Sequence, residues 1–301
     1  MTKNKLLFFG IILIFNLSCS NDDSEMEEII TTDNFNIENY HGIYAQYAFN
    51  LSLNFPDYGD NLIKFEYDNQ NRIIKRIGNV LVANPASGIG GVLHDSLYSD
   101  LVYLDNKIYI EKKIAPFGGL SAVPENGTTI TLNNNRMIQK ITYEEYNDPQ
   151  IDTTSYTYAN DKLISYIKTS NNTTQGSNWE FRNFEESNLY YTNGNLDSIV
   201  TIHSYKPNFT EYTVLQKKET KIFSGYDNVQ NPFRKLQVFK ETFNRSLSKN
   251  NFTEYKKTSN YYNYPNNDFY QTPTISETYN DNFQDWNFAY DENGEWIYNE
   301  F

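Results

Sequence analysis

Through the body of the chain apolar and polar residues alternate with a period of two, and short clusters of Asn, Asp and Gly interrupt the alternation. Ile63-Lys64-Phe65-Glu66-Tyr67 alternates in this way, Asp68-Asn69-Gln70-Asn71 supplies turn residues, and Arg72 to Ile77 runs back. That is the signature of a β-hairpin, because Asn, Asp and Gly tolerate the positive φ that tight hairpin turns require. The layout recurs with turns at Asp105-Asn106, Asn133-Asn134-Asn135, Asn160-Asp161, Asn193-Gly194-Asn195 and Asp291-Glu292-Asn293-Gly294. In the last, Trp286, Phe288 and Tyr290 fall on one face and are expected to pack, while Asn287 and Ala289 fall on the other. The steps between turns are uneven, which points to a meander with variable loops rather than a strict solenoid.

One segment departs from this pattern. Asn231 is placed to cap a helix with Pro232 at its first position, and Phe233, Leu236, Phe239 or Lys240, Phe243 and Leu247 follow at roughly helical spacing. The spacing predicts one short helix near 232–247 lying on the sheet; long β-strands are the alternative. The expected fold is therefore all-β, an antiparallel meander of successive hairpins forming a large curved sheet. An open sheet, a barrel and a sandwich all fit the pattern.

Composition agrees with strands. Aromatic residues make up 16% of the chain, with 26 Tyr and 20 Phe, and these suit a pleated, half-buried surface. A single hairpin-repeat domain is expected over 35–301, since all-β domains reach that size undivided.

The first residues have a different character. Lys3 and Lys5 precede an apolar run from Leu6 to Phe15, and small Ser18 stands before Cys19, the sole cysteine. This is the plan of a secretory signal, too short to span a bilayer. Asn16-Leu17-Ser18-Cys19 resembles the lipobox of bacterial lipoproteins, with Asn16 where Leu is usual. The resemblance implies removal of residues 1–18, lipid attachment at Cys19 (palmitate among the acyl chains) and a membrane as partner through that anchor. More than one acyl chain is what stable anchoring requires. Residues 19–34 then read as an acidic flexible tether. Ser20-Asn21-Asp22-Asp23 looks like the acidic signal that directs Bacteroidetes lipoproteins to the outer face of the outer membrane.

Loss of Lys3 and Lys5 with the leader takes the formal net charge from −13 to −15. Nucleic acid is excluded as a partner on this ground, because phosphate binding rests on clustered Lys and Arg. With the only cysteine lipidated, no disulfide, thiol nucleophile or Cys-based metal site remains.

The recurring strand, Tyr-Asp or Tyr-x-Asn turn and Ile-rich return resembles the YD-repeat-like lipoproteins of unknown function from Bacteroidetes. Phe65-Glu66-Tyr67-Asp68 through Ile73, Gly225-Tyr226-Asp227 through Phe233, and Ala289-Tyr290-Asp291 through Gly294 carry it best, with Leu247-Ser248-Lys249-Asn250-Asn251 downstream of the second. The resemblance implies an exported all-β fold and no activity.

Catalytic signatures are missing from the sequence. His41, His94 and His203 stand far apart and form neither HExxH nor HxH, and no GxSxG elbow occurs. Ser87-Gly88-Ile89-Gly90-Gly91 lacks the Lys-Ser/Thr ending of a phosphate loop and reads as part of a long loop over Asn84 to Asp95. That loop and Ala115 to Gly127 are the candidates for ligand contact. Acidic turns such as Asp281 to Asp285 lack EF-hand spacing, so hairpin chemistry explains them better than calcium. No cofactor is implied. Trp179, Tyr190, Tyr191, Tyr261, Tyr262 and Trp286 could stack on sugar rings, although cross-strand packing uses the same residues. Asp95-Ser96-Leu97, Asp152-Thr153-Thr154 and Asp197-Ser198-Ile199 resemble Bacteroidetes O-glycosylation sites, making Ser96, Thr153 and Ser198 candidates.

The function expected from all this is a surface-exposed outer-membrane lipoprotein, a non-enzymatic binding or structural module for a glycan or an envelope protein. Two alternatives carry structural signatures. A polysaccharide-acting hydrolase needs a cleft with two facing carboxylates, and a lipid-handling envelope protein needs an apolar groove.

Overall fold

The protein was analysed as a computed structural model, which describes residues 36–37, 39–41, 62–81, 92–114, 127–146, 148–173, 180–207, 212–228, 230–265, 269, 272–283, 289–290 and 296–297. Cys19, the tether, Ser87 to Gly91, Trp179 and Trp286 lie outside these residues.

Fourteen strands form one open antiparallel sheet in strict sequence order, each paired with its neighbours along the chain. They are β1 (Asn39–His41), β2 (Leu62–Tyr67), β3 (Ile73–Leu81), β4 (Val92–Leu104), β5 (Lys107–Ile114), β6 (Gly127–Asn133) and β7 (Arg136–Tyr146). There follow β8 (Asp148–Ala159), β9 (Lys162–Thr173), β10 (Glu180–Thr192), β11 (Asn195–Pro207), β12 (Val214–Tyr226), β13 (Phe252–Asn263) and β14 (Thr274–Phe283). β15 (Ala289–Tyr290) and β16 (Trp296–Ile297) pair as a separate two-stranded sheet, so the closing hairpin forms. The packing expected of Trp286, Phe288 and Tyr290 falls outside the described side chains.

Five of the expected hairpin turns fall among the described residues and are present there, and their chemistry is local; Asp291 to Gly294 lies outside the described residues. Asn134 and Asn135 have φ of 48° and 61°, Asn160 and Asp161 of 47° and 63°, and Asn193 and Gly194 of 53° and 80°. Two successive positive φ values give a turn whose twist matches that of the flanking strands. The Tyr-Asp dipeptide has two separate jobs. Asp68 Oδ1 accepts hydrogen bonds from the backbone N–H of Gln70 and Arg72, each at 2.9 Å, and Oδ2 takes the Arg72 side chain at 2.7 Å. Burial would raise the Asp68 carboxyl, but its bonds to Arg72 and Gln70 outweigh that and hold it below the ordinary range. Tyr67, just before it, donates its hydroxyl to the Ile37 carbonyl at 2.7 Å. Tyr103 does the same to Ile73 at 3.0 Å, Tyr191 to Leu163 at 3.0 Å, and Tyr226 to Leu196. These tyrosine latches reach back 30, 30, 28 and 30 residues, so a near-regular repeat lies beneath the uneven turn spacing.

At Tyr226-Asp227 the hairpin turn is replaced by an inserted segment, residues 227–251, hereafter the plug. Its neck is closed by Asp227 and Asn251, which pair backbone N–H to carbonyl at 3.0 Å and side chain to N–H at 3.1 Å. Gly225 precedes it at φ 68°, and a Cβ there would collide with the Thr253 hydroxyl. The helical segment expected near 232–247 is divided: a 3-10 turn at Arg234–Leu236, then a single-turn helix, α1 (Phe243–Ser246). Asn231 does not cap it, since the 3-10 turn begins at Arg234 with Phe233 at the cap position; its side chain accepts from the Phe233 N–H at 2.9 Å and its amide donates to the Arg245 and Ser248 carbonyls at 2.5 and 2.9 Å. The asparagine therefore ties both ends of the plug together, and a folded-back loop rather than one rod satisfies its bonds.

The plug lies on one face of the sheet at the hairpin-turn end. Phe233, Leu236, Val238 and Phe239 pack with Ile63, Phe65, Leu101, Ile108, Ile130 and Met137 from the early strands. Leu247 and Phe252 pack with Leu163, Leu189, Leu196, Ile199 and Phe223 from the later ones. Arg76 and Glu241, both about 5% exposed in their side chains, form a 2.5 Å ion pair that fastens the plug to β3.

Candidate functional site

Residues directly opposite each other on neighbouring strands share a face, so the registers fix what lies beside the plug. Ile199 is in the core beneath it, and Thr201 and His203 follow on the same face of β11. Thr201 stands opposite Ser187 on β10 and Glu219 on β12, and Glu219 stands opposite Ser259 on β13. One step further from the plug, Lys168, Glu185, His203, Lys217 and Tyr261 stand opposite one another on β9 to β13, and Tyr261 faces Glu277 on β14. Within two residues the face has changed from hydrocarbon to a polar track. Tyr156 and Tyr166 mark the border, both with rings on Phe243 of α1, at 6.0 and 5.8 Å.

The floor of the track is hydrogen-bonded and buried. Ser187 and Thr201 share a bond at 2.8 Å, and Ser259 donates to Glu219 at 3.5 Å. Glu219 lies between Lys217 and Lys221, each 3.1 Å away. Burial alone would raise its carboxyl, but the two lysines outweigh that and hold it at about 2. Lys168 pairs with Asp152 at 2.6 Å and stands 3.9 Å from Glu185. His203 is kept below its ordinary range by burial and then by Lys217, so it is neutral at pH 7, and its Nε2 is enclosed without a hydrogen-bond partner among the described residues. At the open edge Tyr261 and Tyr279 meet edge to face, 5.7 Å apart and 40% and 55% exposed. The Tyr279 hydroxyl is fixed by Glu277 at 2.8 Å.

Closer to the plug's other end, Lys140 donates to the Val238 carbonyl at 3.1 Å. Its stem is half-buried, but its ammonium is enclosed; desolvation brings its pKa down to about 8 against the opposing pull of Glu241.

The opposite face is mixed. Ile141 stands between Thr129 and Thr153, Ile167 between Ser155 and Glu186, and Ile222 between Ser198 and Lys256. Ion pairs such as Lys113–Asp100 at 2.8 Å run through it. Over the described strands it lacks the unbroken apolar band of a lipid-facing sheet.

The sequence-derived candidates scatter. Ser96, Thr153 and Ser198 all sit within strands, half-buried, and the registers put Thr153 and Ser198 on the face away from the plug. His41 and His94 lie in β1 and β4, far along the chain from His203. Tyr190 is 52% exposed on the face away from the plug, whereas Tyr191 is a latch in the core. Among the described members of the aromatic list, Tyr261 is the one that the sheet places on the track. Among the described residues no group of three or more His, Cys, Asp or Glu is arranged to hold a metal ion. The track itself was not legible in the sequence, because its neighbours come from strands far apart in the chain.

Neither a family model nor a curated protein sequence matches this chain. Among solved structures, a porin-like protein from Bacteroides vulgatus ATCC 8482 aligns at 12% identity, over 76% of this chain and 95% of that one, with a TM-score of 0.38. A likeness at that level carries nothing further to this chain.

Proposed function

We propose that this protein is an outer-membrane lipoprotein, cut before Cys19 and displayed on the cell surface, that serves as a non-enzymatic binding module for a glycan or another envelope protein. The observation that favours binding over catalysis is the polar track. Lysines lie against Asp152, Glu185 and Glu219, the Tyr279 hydroxyl holds Glu277, and Glu219 is kept at about 2, the wrong direction for a general acid. An apolar groove for lipid gets no support either, since the plug already covers the apolar end of that face with Phe233, Leu236, Val238 and Phe239.

Anchoring and activity are tested separately. Cys19→Ala should move the protein out of the membrane fraction and abolish labelling by palmitate; continued membrane retention would sink the lipoprotein reading. Asp22→Ala with Asp23→Ala should leave the fold intact and reduce protease accessibility on whole cells. The mature protein incubated with polysaccharides should release no reducing ends, and steady release would replace the binding reading with a hydrolase.

A further inference from the structure

We propose that the track between the plug and the open sheet edge binds a linear, uncharged polysaccharide, with Tyr261 and Tyr279 as its stacking platform. This rests on the reading above and names the ligand class and the site. Strands lie about 4.8 Å apart, so the six steps from β8 to β14 give a track of roughly 29 Å. That is a length for an extended polymer rather than a single small molecule. The platform suits a sugar ring because a tyrosine face is apolar while its rim is polar. C–H groups of a pyranose can lie on the exposed ring, and its hydroxyls reach Glu277 and Lys217, which flank Tyr261 on either side.

Charge selects among polymers. In a chain carrying −15 after loss of its leader, Lys168, Lys217, Lys221 and Lys257 on the track face are nearly balanced by Asp152, Glu185, Glu219, Glu277 and Asp281. Such a surface offers no field to attract a polyanion or a polycation, yet it presents donors and acceptors along its length. The buried hydroxyl floor is already bonded, so little ordering is needed on binding.

The test is affinity electrophoresis of the mature, lipidated protein in detergent, through gels containing neutral glucans, mannans and galactans or the acidic polygalacturonate. At least one neutral polysaccharide should retard the protein, and polygalacturonate should not. Tyr261→Ala and Tyr279→Ala should each weaken retardation by about tenfold or more, near 1.4 kcal/mol. Both side chains are exposed, so thermal midpoints should stay unchanged and exclude misfolding. Tyr190→Ala, on the other face, should bind as the parent does. Retardation by polygalacturonate alone, or loss of neutral-glycan binding only in Tyr190→Ala, overturns the track while leaving a glycan-binding lipoprotein. No retardation by any polysaccharide overturns the proposal and leaves the envelope-protein arm, read by crosslinking on whole cells.

Discussion

The turn end of the plug-bearing face and the track beside it are built by the same strands, with the same alternation, and yet hold opposite chemistry. Under the plug, Leu189 on β10, Leu196 and Ile199 on β11 and Phe252 on β13 are 5% exposed or less, in one cluster with Leu247 of the inserted segment. A few residues further along those strands, Ser187, Thr201 and Ser259 reach 1%, 5% and 4% exposure through taller cross-strand neighbours and through one another. The difference teaches that burial in a single sheet is not one condition. Where a second layer exists, the hydrophobic effect fixes the sequence; where the described residues supply none, hydrogen bonds and ion pairs must satisfy each enclosed group. The first region stabilises the fold, and the second leaves a polar surface available.

The largest expected effect lies at the seam. Arg76→Met alone and Glu241→Leu alone should each cost about 3–5 kcal/mol, because each strands a buried charge, whereas the double substitution should cost far less. Denaturant midpoints for the three variants decide this; additive losses would mean that the pair is not desolvated. Phe233→Ala, at 1% exposure, should likewise lose about 3–5 kcal/mol as a large core truncation. Thr201→Val in the track should cost much less.

Lys140 at the seam gives a pH signature. Its folded pKa, about 8, lies below the ordinary value of 10.5, so between these the unfolded chain binds the proton that the folded chain has released. Stability should therefore rise with pH from about 8, by roughly 1 kcal/mol at pH 9. Above pH 9 the buried tyrosines, raised by burial, oppose the trend as they ionise first in the unfolded chain. Lys140→Met should be flat from pH 8 to 9; an identical rise in that variant would show that another group is responsible.

The smallest effect is at the latches. Tyr103→Phe removes one hydrogen bond to Ile73 and should cost about 1 kcal/mol. Tyr190→Phe, exposed and outside the latch series, should be near neutral. Equal thermal midpoints for the two would remove the latch as a stabilising element.

The sequence by itself determined what depends on neighbours along the chain. Asn134-Asn135, Asn160-Asp161 and Asn193-Gly194 adopt positive φ because Asn and Asp tolerate it and Gly has no Cβ to oppose it, so every hairpin they join was legible, and with it the all-β meander. Tertiary structure decided the rest. The plug is not one helix, because Asn231 must reach Arg245 and Ser248 as well as Phe233, and Phe239 must reach Phe65 on β2, 5.8 Å away. The tyrosine latches span about 30 residues each, beyond any local pattern. The track depends on registers that set Glu219 beside Ser259 and Lys217 beside Tyr261. In a strand a one-residue slip sends every side chain to the other face, so only the assembled sheet could place those groups together.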